Sequence, residues 1–178
     1  VLAGQQLGEL AVDSEDYAAA IQEFEATLEA FPKSDLEAEL LLQLGEAVFA
    51  LEDSARYGEV LQVLERVLKA GPSTEIEYRA RLNRGRVLYA QENISAALKT
   101  YKRLLGEGRF RFFEGETRLL IGQSYQDQGQ LEEAQNQYEK VRDDFPQSAV
   151  SAMALFRTGE LFLKKYGDAE LAEEYFKE

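Results

Sequence analysis

Leu7-Gly8, then Asp16-Tyr17-Ala18-Ala19-Ala20-Ile21-Gln22-Glu23-Phe24, then Leu28 and Phe31-Pro32: this stretch decides the fold. Tyr17, Ala20, Ile21, Phe24, Leu28 and Phe31 fall three or four residues apart, which puts them on one face of a helix. Pro32 ends that helix, because proline cannot continue the hydrogen-bond ladder. The same figure returns as Tyr57, Val60, Leu61, Leu64, Val67, Leu68 and Pro72. It returns again as Ile94, Ala97, Leu98, Tyr101, Leu104 and Leu105, without a proline and with Arg109 near that place. A fourth copy reads Leu131, Ala134, Tyr138, Val141, Phe145-Pro146, and a fifth opens at Ala172, Tyr175 and Phe176.

A preceding helix carries a glycine in each copy: Gly8, Gly45, Gly85, Gly122 and Gly159, spaced 37, 40, 37 and 37 residues apart. Turn formers separate the two helices: Asp13-Ser14-Glu15-Asp16, Glu52-Asp53-Ser54, Gln91-Glu92-Asn93, Asp127-Gln128-Gly129 and Tyr166-Gly167-Asp168. A helix–turn–helix unit repeated five times implies stacked hairpins that share one continuous core. Glycine inside a helix costs about 1 kcal/mol relative to alanine. Five at one repeat position therefore imply a packing reason, read here as close approach of the partner helix at Ala20, Ala97 or Ala134. Phe24, Tyr101 and Tyr138 would then fill the space between repeats.

The pattern Leu7-Gly8, Asp16-Tyr17, Ala20-Ile21, Phe24, Leu28, Pro32 resembles the tetratricopeptide repeat, as does Gly122, Tyr125, Gly129, Leu131-Glu132-Glu133-Ala134, Tyr138, Pro146. The resemblance implies an all-α, right-handed superhelical solenoid over repeats of about 1–34, 35–73, 74–110, 111–147 and 148–178, forming a single domain. The second repeat departs from the pattern by about three extra residues in its turn and by Val60 where alanine is usual. Phe145-Pro146-Gln147-Ser148 with Ala152, Ala154-Leu155-Phe156, Gly159-Glu160-Leu161 and Tyr166 is similar to the longer repeats of bacterial cell-envelope members. That likeness implies a periplasmic or envelope setting. Both ends fall within helical patterns, which implies a piece of a longer chain, its last helix reaching Tyr175-Phe176-Lys177-Glu178.

Composition narrows the function. The 178 residues contain neither Cys nor His, which removes the usual zinc ligands and the Ser–His and Cys–His nucleophile pairs. Neither a cofactor motif nor a metal site is evident, so a non-enzymatic role is expected. Gly106-Glu107-Gly108 has no strand before it and is no phosphate loop. No apolar run nears the roughly 20 residues of a membrane span. A net charge of −13 argues against a nucleic-acid partner. The charge is uneven: residues 76–112 hold nine basic and three acidic side chains, a net +6, leaving −19 for the rest.

In the tetratricopeptide family the first helices line a concave groove. The resemblance therefore implies that Leu2, Gln5, Glu9, Val12, Glu39, Leu42, Glu46, Phe49, Arg79, Leu82, Arg86 and Tyr89 face it. From later repeats it adds Glu116, Leu119, Gln123, Gln126, Met153, Phe156, Glu160 and Leu163. Arg79 and Arg86 lie two turns apart on one face, with Tyr89 beside them. They are suited to an acidic or C-terminal partner segment, or to internal pairing with Glu39, Glu46 and Glu116, the cheaper arrangement beside acidic groove flanks. Arg109-Phe110-Arg111-Phe112-Phe113 reads either as a docking patch or as Phe112 and Phe113 entering the next helix while Phe110 packs under the loop. The expected role is a scaffold binding another protein, with self-assembly into a homo-oligomer as the alternative.

Overall fold

Polar residues and glycines between the helices cap and turn the chain in the structure, a computed structural model that describes residues 1–167 and 169–177, without the side chains of Lys165 and Tyr166. Asp168 of the last turn and Glu178 lie outside the described residues. Asp16, Asn93 and Ser148 accept hydrogen bonds from the backbone N–H of Ala19 (3.0 Å), Ala96 (3.3 Å) and Ser151 (3.1 Å). Each thereby caps the helix that follows it. The internal turns also place one residue in the left-handed region: Glu15, Glu52, Glu92, Gly129 and Gly167.

The helices are α1 (Leu2–Asp13), α2 (Tyr17–Ala30), α3 (Glu37–Ala50), α4 (Tyr57–Lys69) and α5 (Thr74–Ala90), then α6 (Ile94–Leu105), α7 (Glu114–Asp127), α8 (Leu131–Asp144), α9 (Ala149–Tyr166) and α10 (Ala169–Lys177). Two compact units result, Val1–Glu92 with α1–α5 and Asn93–Glu178 with α6–α10. The three additional residues of the second repeat form a 3-10 turn, Ser54–Arg56. Its Arg56 guanidinium donates twice to Glu59 (2.8 and 2.7 Å) and holds that carboxyl below its usual range. The resulting stabilisation is present above the unfolded-state pKa and is lost as pH falls through the lower folded value. A second 3-10 segment, Gly108–Phe113, stands where the third repeat lacks its closing proline.

In the first unit, α2 packs on both α1 and α3, and α4 on both α3 and α5. Phe24, Leu40, Leu41, Leu42, Val48 and Leu64 are fully buried between them. In the second unit α8 packs on α7 and α9 around Ala134, Tyr138, Val141, Ala154 and Leu161. Phe31, expected on the buried face of α2, is half exposed instead. It sits at the cap, where the backbone has already left the helix.

The glycines have a packing reason, and it differs from the expected one. A Cβ on Gly8 would lie under 3.0 Å from the Phe24 ring, on Gly122 from the Tyr138 ring, and on Gly159 from the Phe176 ring. The neighbour that demands glycine is thus the aromatic of the hairpin's own second helix, not the alanine one turn before it. Gly45 is the contrast. No aromatic faces it, and its nearest atoms would be Val63 Cγ1 at 3.4 Å and Leu64 Cδ2 at 3.5 Å, ordinary contacts. Gly45→Ala is therefore expected to stabilise the protein by up to about 1 kcal/mol through helix propensity. Gly122→Ala should cost about 1–3 kcal/mol through overpacking. Urea denaturation of both variants checks this, and equal effects would contradict it.

Candidate functional site

Packing Phe24 and Leu64 beneath the first helices leaves polar residues of α1, α3 and α5 on the other side, and these join in two clusters. In one, Glu9 Oε1 accepts from Gln5 Nε2 (3.1 Å) on its own helix and from Gln43 Nε2 (2.6 Å) on α3. The Gln43 Oε1 is buried and has no donor. In the other, Glu46 on α3 accepts from Arg79 Nη2 (2.7 Å) and Asn83 Nδ2 (2.8 Å), both on α5. Arg86 Nη1 then donates to Asn83 Oδ1 (3.2 Å). Glu46, Arg79, Asn83 and Arg86 therefore form one row of alternating acceptors and donors.

Arg79 takes the internal partner Glu46, as the pairing alternative anticipated, yet the two side chains keep 41% and 34% of their surface exposed. An ion pair that accessible is worth about 0–1 kcal/mol and exchanges partners at little cost. Tyr89 is half-buried one turn beyond Arg86. Phe49 is half-buried against the core, its ring 5.7 Å from that of Tyr57. Leu42 and Leu82, placed on this face by the sequence, are buried in the core instead. Their neighbours Gln43 and Asn83 supply the polar contacts. The signal for those two was available: Gln6, Gln43 and Asn83 each stand two residues before a repeat glycine.

The remaining candidates belong to the second unit. Gln123 is half-buried on α7. Gln126 Oε1 accepts from the Tyr138 hydroxyl (2.9 Å), fixing the ring that presses on Gly122. Phe156 is about half exposed, its ring 5.4 Å from Phe176. Of the Arg109-Phe110-Arg111 patch, the structure buries the aromatic and leaves the two arginines exposed. Arg109 lies over the Phe110 ring at 4.5 Å and pairs with Glu107 (2.9 Å). Phe112 does not enter α7 as core, because the chain is still in its 3-10 segment there, and the side chain is 88% exposed.

Among the described residues no group of acidic side chains is arranged to hold a metal ion, and no helix is long and apolar enough to cross a membrane. Helical hairpins stacked with a glycine–aromatic contact define an α-solenoid repeat protein. The sequence profile of the tetratricopeptide repeat matches residues 6–62, 50–111 and 119–178, and the chain belongs to that family. A search of the curated proteins finds no match. Among solved structures, MamA from Desulfovibrio magneticus RS-1 (residues 41 to the end) is similar at TM-score 0.70 and 19% identity over 98% of this chain and 90% of that one. YrrB, described as a TPR protein with an unusual peptide-binding site, gives 0.59 and 22% over 97% and 80%. The Rap conjugation gene regulator of plasmid pLS20, solved with the Phr* peptide, gives 0.76 and 16% over 98% of this chain and 50% of its own. At these identities the likeness is one of fold.

Within the row, Glu46 carries more than its ion pair, because the nearly buried Asn83 depends on it as acceptor. Glu46→Ala is expected to cost about 1–3 kcal/mol, and Arg79→Ala about 0–1 kcal/mol. Denaturant titration of each variant measures the order, and the reverse order would contradict it.

Proposed function

We propose that this chain is a protein-interaction module whose first unit holds a segment of another protein against the face made by α1, α3 and α5. The observation that carries this reading is the Glu46–Arg79–Asn83–Arg86 row, in which the Arg79–Glu46 ion pair is partly exposed and weak. Two proteins of similar fold support it, one described by its peptide-binding site and one solved with a peptide.

The partner segment in this reading is acidic or ends in a free carboxylate. A carboxylate arriving over α5 replaces Glu46 as the acceptor for Arg79 and adds a bond to Arg86, with Tyr89 beside it for apolar contact. Charge-assisted bonds of this kind are the stronger ones, and arginine presents its donors in a planar fork suited to them. The repeat length, similar to that of bacterial cell-envelope proteins, supports an envelope setting for the partnership. No catalytic step is part of this reading.

A peptide array of acidic, neutral and basic sequences with free C-termini tests the reading. Wild-type protein is expected to select the acidic peptides, and Arg86→Glu to weaken that binding about tenfold or more with unchanged helicity and melting temperature. Charge-independent binding, or an Arg86→Glu variant that only loses stability, would make the arginine structural.

A further inference from the structure

Phe112, on the 3-10 segment Gly108–Phe113, is the most exposed large apolar side chain among the described residues, at 88%. Phe113 braces it from one side, the two rings meeting edge to face at 5.4 Å. Arg109 and Arg111 are exposed on the same segment, and Arg109 is steadied by Phe110 and Glu107. A braced phenyl ring flanked by two guanidinium groups has the make-up of an interface anchor. The first unit holds a surface of the opposite kind. Between α2 and α4 a cleft of about 380 Å³ reaches down to α3. Leu28, Leu44 and Val63 form its floor, and the exposed Glu25 and Glu29 stand along its α2 wall. That volume falls in the range that encloses a small ligand, enough for a phenyl ring. Arg66 on the α4 wall is suited to stack on such a ring. Both features lie in the interior of the chain, with helices on either side of each.

Charge indicates how the two belong together. Residues 99–111 hold five Lys and Arg against one Glu, while α2 holds three Glu and no Lys or Arg. We infer that Phe112 docks in the α2–α4 cleft of a second copy of this chain, with Arg109 and Arg111 set against Glu25 and Glu29. The ring fills the apolar floor, and the flanking charges choose the cleft over other apolar surface. An anionic membrane is the poorer occupant, because the remainder of the chain is strongly acidic. Repulsion between the two acidic bodies is screened beyond about 8 Å at physiological ionic strength, which leaves the local complementarity to decide. Ring and cleft are different surfaces, so the contact is heterologous, and a copy whose cleft is filled still offers its own ring to the next. One inserted ring and two charge pairs bury little area, which makes each contact a weak one. The site shares no residue with the α1–α3–α5 face, so it stands or falls separately from the function proposed above.

A heterologous contact can be tested by separating its halves. Phe112→Ser removes the ring and keeps the cleft; Glu25→Lys combined with Glu29→Lys reverses the cleft wall and keeps the ring. All three side chains are exposed, so helicity and the urea midpoint are expected to stay at the wild-type values. In sedimentation equilibrium of the full chain, the wild-type average mass is expected to climb above the monomer as concentration rises. Either variant alone should raise the dissociation constant about tenfold or more. An equimolar mixture of the two variants should regain the wild-type affinity for a single contact and stop at a one-to-one dimer, since only one ring and one cleft remain compatible. A wild-type protein that stays monomeric up to millimolar concentration would overturn the inference. So would self-association that persists undiminished in either variant, or a mixture of the variants that remains monomeric.

Discussion

An aromatic ring pressed against a glycine backbone is the contact from which the hairpins take their register. In three hairpins the ring of the second helix occupies the volume that a Cβ on the first would need. The glycine costs the helix about 1 kcal/mol of propensity. At Gly8 and Gly122 what offsets that cost is burial of a whole aromatic side chain, which exceeds it. Phe24 and Tyr138 are completely enclosed in this way, and the Tyr138 hydroxyl is held by Gln126 at the far end. The second repeat shows the alternative. With Leu64 instead of a ring the glycine contact loosens, and a 3-10 turn leads into α4.

Once the ring fixes which side of the first helix is inward, the other sides follow by geometry. Positions one before and two after the glycine receive the preceding second helix. Positions two before and one after it look away from the hairpin, and Gln43, Glu46, Asn83 and Arg86 stand there. The polar row of the first unit therefore stands at positions set by how the helices pack around the core. Asn83 is nearly buried there while the Arg79–Glu46 pair stays partly exposed, an arrangement that holds a face in shape while leaving that ion pair exchangeable.

The repeat was legible because glycine, small residue and aromatic recur in fixed order, a coincidence that five unrelated hairpins would not produce. The helices, the turns within each hairpin and the family followed from it. Two features were not legible to the same degree. Leu42 and Leu82 were assigned to the face and Gln43 and Asn83 were passed over. One residue turns a helix by about 100°, so a fixed offset carried from a family pattern moves a side chain from face to core. The turns hid their left-handed residues as well. Glutamate at 15, 52 and 92 carries no propensity for positive φ, whereas the glycines at 129 and 167 announce it. Phe112 was misplaced for a related reason, since an apolar pair before a helix reads as core until the 3-10 segment that carries it is seen.

The central claim is that the repeat glycine exists for the ring opposite it. A double-mutant cycle on Gly8 and Phe24, followed by urea denaturation, tests it most directly, with Phe24→Leu reproducing the leucine that faces Gly45. The account predicts that Gly8→Ala destabilises the wild-type protein by about 1–3 kcal/mol and that this cost vanishes or reverses in the Phe24→Leu background. Additive effects of the two substitutions would show that the glycine answers to something other than the ring.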